Sequence, residues 1–441
     1  MEHTVIDKKL PTSERYRVFA DGVELNVIKD DEYDYVHIIT SDIVSVEVKI
    51  SERIEKIDLR PTRRAKKFTV EGDSVRFLMS RADYYCLELN GDLMRPLLLF
   101  CDEKIEKQIY DGQNVMYFKP HTYYKVDEIK PESDTVIFID EGAVVEGKIH
   151  ADNVKNLRVL GNGILFGKNH ADCKGIPINI NYGEDIEING ITIIGLNCWN
   201  LRTWKSKRIL IENVKILAHE VWSDGIDIVA SEDIVIRHIF IKNEDDCVCL
   251  KSSKSITGNF EGGDVRNVLV EDCVLWSGPR GNSLEIGYET NNSVVENVLF
   301  RNVDVMHRQT QESKFHRSII SIHNSGNATI RNVTYENIYA EESDENFIQI
   351  AHMHQPNWGL GGGVIEDIRL RNVTLAGGEL RESAVLGYPR GIARGEKEPC
   401  VTRNITFENI TVLGKTLKNS DDAKVCGFKV DEYAENVKFI G

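Results

Sequence analysis

The sequence predicts an all-β protein, with a small antiparallel β-sandwich over residues 1–105 followed by a parallel β-helix over residues 106–441. Two textures and one recurring residue carry this reading. Short alternating segments separated by polar turns fill the stretch from about Arg17 to Phe100. After about Tyr110 a strand-rich unit recurs at roughly 20–40 residues, the range of a solenoid repeat. Asparagine returns at the same place in those units.

The first texture comprises "YVHIIT", "VSVEVKI", "KFTVEG", "VRFLMS" and "YCLELN", with "RPLLLF" at Arg95 as the last strand. The basic cluster "RPTRRAKK" between two of these segments reads as a solvated loop. A short helix near Asp111–Tyr117 is expected to cover the open end of the solenoid, where stacked coils leave an exposed core. The repeat then runs through "NLRVLGNGI", "DIEINGITI", "RILIENVKI", "DIVIRHIFI" and "NVLVEDCVL", and on to "NITFENITV" at Asn404. Each unit is β-branched alternation, a polar turn and a second short alternation, which fits one coil with apolar side chains stacked inward. Asn213, Asn302, Asn332, Asn372 and Asn409 mark the turns. Asparagine tolerates left-handed backbone, and stacked amides can form ladders.

Composition bounds the function. The chain has 441 residues, 41% hydrophobic and 28% charged, with a formal net charge of −16. Nothing resembles the basic stripe that nucleic acid requires, and no run has transmembrane length. The start, "MEHTVIDKKLPTSERYR", lacks the apolar core of a secretion signal. The nine cysteines show no metal-type spacing and read as small buried residues of a reducing compartment. The expectation is a cytoplasmic protein with no nucleic-acid or membrane partner.

The chemistry concentrates in "NEDDCVCLKS", Asn243–Ser252, where Asp245 and Asp246 are adjacent. Asp224, in "WSDGIDI", lies about one short coil earlier. Adjacent coils are ~4.8 Å apart, so three carboxylates converge on one flank. Crowded carboxylates hold one another's protons, and glycoside hydrolysis needs one protonated and one ionised carboxyl. No cofactor and no metal are required.

"SDGIDI", "NEDDCVCLKS" and "GNSLEIG" resemble the three successive signatures of the polygalacturonase-like glycoside hydrolases, family 28, and "CWNLRTWKSKRILIENVKI" resembles the coil before the first. The resemblance covers roughly Asn153–Thr290. It implies a right-handed parallel β-helix that hydrolyses glycosidic bonds with inversion. It makes Asp245 the general acid, with Asp224 and Asp246 positioning and deprotonating water. The preceding sandwich is similar to that of the dextranase-like relatives. Two departures stand out. Asn282 replaces the family's histidine, and the later Arg-x-Lys pair that holds a uronate carboxylate has no clear counterpart. Both point to a carbohydrate substrate that is neutral or non-uronate at the cleavage point.

Further candidates for substrate contact are Trp222, whose flat face suits a sugar, Lys251, Asn282, Glu285, His219 and Arg317, with Arg308 and Glu289 close by. Two other readings stay open. One is a lyase or epimerase on the same architecture, which needs a strong base. The other is a non-catalytic glycan-binding solenoid.

Overall fold

The computed structural model describes residues 4–65, 67–107, 112–167, 175–195, 198–253, 261–309, 317–354, 361–390 and 400–441. Thirty strands form one continuous sheet system that winds through consecutive coils, nearly all of it paired in parallel. Strict register makes the core. Ile186, Ile209, Ile234, Val268, Val298, Val333, Ile368 and Ile405 lie directly above one another along successive strands. These columns are buried in a single apolar cluster. Phe300 stacks on Tyr335 with ring centroids 4.8 Å apart and planes 6° from parallel, the coil spacing made visible.

The asparagine ladders form as expected. Asn302, Asn337, Asn372 and Asn409 each donate a side-chain amide to the coil before, ending on Asp272. A second ladder runs from Asn332 through Asn297 and Asn267 to Asp233. All the donors have φ between 52° and 57°, so asparagine serves twice: its backbone accepts the left-handed turn and its amide joins the coils.

Two five-stranded sheets form the sandwich. One contains Ile28–Lys29, Asp34–Ile39, Asp92–Asp102, Tyr84–Leu89 and Ile57–Arg60; the other contains Val23–Leu25, Tyr16–Ala20, Val44–Ile50, Ser74–Met79 and Thr69–Glu71. Val18, Val46, Val48, Leu87, Leu97 and Leu99 fill the space between them. The expectation of purely antiparallel pairing needs one correction: Asp34–Ile39 and Asp92–Asp102 run parallel.

The first sheet's outer face packs on the solenoid. Tyr84, Leu98 and Phe100 join Leu217, Phe240 and Trp276 in one buried cluster. Lys215 Nζ lies 2.7 Å from Asp102 Oδ2, both buried. The basic cluster read as a solvated loop is instead part of this junction. Arg60 pairs with Glu88, Glu341 and Glu342 at 3.0, 2.6 and 2.8 Å, and Arg63 and Arg64 both pair with Asp304.

The helical cap expected near Asp111–Tyr117 is also corrected. Asp111 lies outside the described residues, and Asn114–Phe118 is a strand paired in parallel with Thr135–Ile139. The N-terminal strand Thr4–Ile6 adds to this end by pairing antiparallel with Tyr123–Ile129. Among the described residues the helix is Ser420–Val425, at the other end, capped by the Asn419 side chain. Among the described residues no helix is long and apolar enough to cross a membrane.

Asn372→Ala should cost about 1–3 kcal/mol in urea unfolding, from left-handed backbone strain and two lost ladder bonds. Asn372→Gly should cost less, because glycine takes positive φ freely; equal losses would assign the effect to the ladder alone.

Candidate active site

One face of the solenoid carries a polar row set by register. Asn179, Arg202, Asp227, Cys249, Glu285, Ser321 and Gln349 occupy equivalent positions on seven successive strands. Side chains alternate across a strand, so the residues on either side of this row, such as Ile226 and Ile228, enter the core. The turns that feed these strands bring in Asp224, Asp245 and Asp246. Gly225 N–H donates to the Asp246 carbonyl at 2.7 Å, and Cys247 N–H donates to the Asn282 carbonyl at 2.9 Å. Asp224, Asp246 and Asn282 are thereby stacked coil on coil, as the one-coil separation in sequence implies. Gly281 permits the stack: a Cβ there would overlap the peptide joining Asp245 to Asp246.

Each acid has a distinct environment. Asp246 Oδ1 accepts from the Asn282 backbone N–H at 2.7 Å and from its Nδ2 at 2.9 Å. The Asn282 side-chain oxygen accepts from Ser318 N–H at 2.8 Å. Asp224 Oδ2 lies 2.8 Å from Lys251 Nζ, and Asp227 Oδ1 lies 2.6 Å from the same ammonium. The Trp199 ring covers that ammonium at 3.9 Å. Half-buried Asp245 is pushed up to about 7, first by burial and then by the Asp246 charge, while Arg317 and Lys251 pull the other way. Burial drives Asp224 well above the usual carboxylate range against the pull of Lys251, and Asp227, Asp245 and Asp246 add to it. Asp227 is also raised by burial. One ammonium thus serves two buried carboxyls, an arrangement that favours a retained proton within the pair.

The structure separates the sequence candidates. Trp222 is 61% exposed beside Asp224, a free apolar face at the rim. Arg317 donates to the Pro279 carbonyl at 3.2 Å and acts electrostatically on Asp245. Four candidates for sugar contact have protein partners. Lys251 is buried and committed to Asp224 and Asp227. Asn282 is buried and spent on Asp246 and Ser318. Glu285 is fully buried, bonded to Ser321 Oγ and 3.1 Å from His323 Nδ1, whose ring stacks on Tyr288. His219 faces Asp30 and Tyr33 of the sandwich. It closely follows the strand Lys215–Leu217, whose Leu217 packs in the cluster shared with the sandwich.

Sequence reasoning missed Asp227 and Arg202. Asp227 stands inside the quoted "SDGIDI", one residue from an inward-facing isoleucine, and alternation places it outward. Arg202 donates to Asn179 and Asn181 at 3.0 and 3.2 Å, extending the polar floor away from the acids. Glu244 is pushed up to about 7 by burial, but its charged neighbours are Lys242, Glu32, Arg280 and Arg308 rather than the three aspartates.

The model of the glycosyl hydrolases family 28 matches residues 135–429. An exopolygalacturonase of Zea mays is 23% identical over 282 residues, covering 55% of this chain and 67% of that protein. An isopullulanase of Aspergillus niger is 20% identical over 307 residues, covering 59% of this chain and 50% of that protein. The chain therefore spans between half and two-thirds of these relatives. The solved structure of Dex49A from Penicillium minioluteum superposes with a TM-score of 0.58 at 11% identity, covering 97% of this chain and 94% of that one, which extends the shared fold through the sandwich. This chain belongs to glycosyl hydrolases family 28.

Lys251→Met leaves Asp224 and Asp227 buried without their cation and should destabilise the protein by about 3–5 kcal/mol at neutral pH. Both carboxyls have raised folded pKa values, so the folded state holds protons that the unfolded chain releases above pH ~4. The deficit should therefore grow as pH rises from about 4. Denaturant melts at pH 4 and pH 8 measure it, and a pH-independent deficit would contradict the shared-ammonium account.

Proposed function

We propose that this protein is an inverting glycoside hydrolase acting on an oligo- or polysaccharide whose sugar at the cleavage point is neutral or non-uronate. The observation that carries the reading is the division of labour among three carboxyls on adjacent coils. Asp245, with a pKa pushed up to about 7, retains its proton in mildly acidic to neutral solution and donates it to the leaving glycosidic oxygen. Asp246, whose Oδ1 accepts two N–H bonds from Asn282, is held in place to take the proton of the attacking water. Asp224, held by Lys251, fixes the water from the neighbouring coil. Water adds to the anomeric carbon as the leaving oxygen takes the Asp245 proton, and the proton released by water passes to the ionised carboxylate. Trp222 offers a platform for a sugar ring.

Three features support a substrate without a uronate at this point. Asp227 and Glu285 place acid groups in the floor row. Lys251, Arg202 and Arg317 beside it are engaged with protein partners. The net charge of −16 disfavours a polyanion at long range. An eliminating lyase would require an unprotonated base. Burial lowers the Lys251 pKa, but Asp224 and Asp227 outweigh that and hold it well above its usual value.

Asp245→Asn should lower turnover of an unactivated oligosaccharide by ~10²–10⁴-fold with little change in binding. A glycoside with a very good leaving group should recover much of this loss for Asp245→Asn and not for Asp224→Asn or Asp246→Asn. Equal rescue of all three would remove Asp245 from the acid role.

The pH profile is a separate check. The acid must be protonated, so kcat/KM should fall as pH rises through about 7. The raised folded pKa also means stability falls between pH ~4 and about 7 as the crowded group ionises. Asp245→Asn should be at least as stable as the parent at pH 8, with the advantage vanishing toward pH 4.

A further inference from the structure

Beside the groove, the turn closed by the Asp30 N–H bond to the Tyr33 carbonyl, at 2.9 Å, lies against the loop that carries Trp222 and Asp224. Tyr33 is fully buried there. Its ring meets the His219 ring edge-on at 6.4 Å and takes the Lys242 ammonium at 5.6 Å. The turn is thus fixed against the solenoid on two sides.

At this contact Asp30, Asp31 and His219 each present one ligand atom within 4.8 Å of the other two. The His219 and Asp30 side chains are each 9% exposed. His219 Nδ1 is buried and makes no hydrogen bond, and the Tyr33 hydroxyl is likewise buried without one. Asp30 Oδ1 is 3.6 Å from His219 Nδ1, too far for a hydrogen bond. That distance has another meaning. Bonds of about 2.0–2.2 Å at tetrahedral angles put two ligands of one ion about 3.3–3.6 Å apart.

We propose that Asp30, Asp31 and His219 form a binding site for a divalent first-row transition ion, Zn²⁺ foremost, that fastens the sandwich to the loop bearing Trp222 and Asp224. The donor set selects the ion. One imidazole with two carboxylates suits a borderline metal, whereas Ca²⁺ and Mg²⁺ take oxygen ligands. Neutral imidazole with its proton on Nε2 presents the Nδ1 lone pair to the ion. Asp31 is exposed, so the site opens to solvent on one side and water completes the coordination. The ligands come from distant parts of the chain, so the ion binds the folded protein in preference to the unfolded one and raises its stability by mass action.

The test uses the full chain, stripped with a chelator, dialysed and titrated with Co²⁺ as a visible probe. The site predicts one equivalent of bound Co²⁺ with the absorption of a low-symmetry, four-coordinate ion, displaced by Zn²⁺, and an unfolding temperature that rises with added Zn²⁺. Asp31→Asn changes an exposed ligand without touching the core and should weaken binding at least ~10-fold; His219→Gln should abolish the spectrum. Asp245→Asn should leave the titration unchanged. No Co²⁺ spectrum in the parent, a spectrum unaltered in both ligand variants, or one lost in Asp245→Asn would overturn the proposal.

Discussion

Each coil hydrogen-bonds to the next at one strand spacing, about 4.8 Å, and every outward side chain consequently has a fixed neighbour on the coil above and below. This constraint reaches every part of the molecule. It stacks Phe300 on Tyr335 in the core and links Asn372 to Asn337 and Asn409 on the turns. It also brings Asp224, Asp246 and Asn282 into one column. A groove built this way inherits the rigidity of the solenoid, and its acid groups cannot relax apart to relieve their repulsion.

That rigidity gives the carboxyl cluster its chemical character. In a flexible surface turn, adjacent aspartates would separate into water and ionise together. Here Asn282 N–H groups hold one, Lys251 holds another with Asp227, and the pKa of Asp245 is raised by burial and by its closeness to Asp246. Lys251 and Asn282 bond the acids directly, so on the proposed mechanism their loss would matter without any contact to sugar. The sandwich contributes by covering a different face, where Lys215, Arg60, Arg63 and Arg64 find buried acidic partners. Loss of Lys215 would leave buried Asp102 without its cation, so the junction is expected to be specific rather than merely adhesive.

Much of this was legible in the sequence. The β-branched repeat, the asparagine turns and the one-coil offset between Asp224 and Asp245 depend on local period alone, and local period determines which coil and which face a residue joins. Partner choice across the chain was not legible. "RPTRRAKK" has the composition of a solvated loop, and only the folded chain brings Asp304 and Glu341 to it. Pairing with the acids was one of two readings for Lys251 and it does bond Asp224, but its second partner Asp227, and His323 beside Glu285, were not legible. The contacts of His219 with Asp30 and Tyr33 were not legible either, because they join segments far apart in the chain.

The stereochemistry of the first product tests the central claim most directly. With an oligosaccharide identified by reducing-end release, proton NMR recorded before mutarotation assigns the anomer formed at the new reducing end. Attack by water held between Asp224 and Asp246, opposite a leaving group protonated by Asp245, predicts the inverted anomer. Retained configuration, or an unsaturated product absorbing in the ultraviolet, would contradict it.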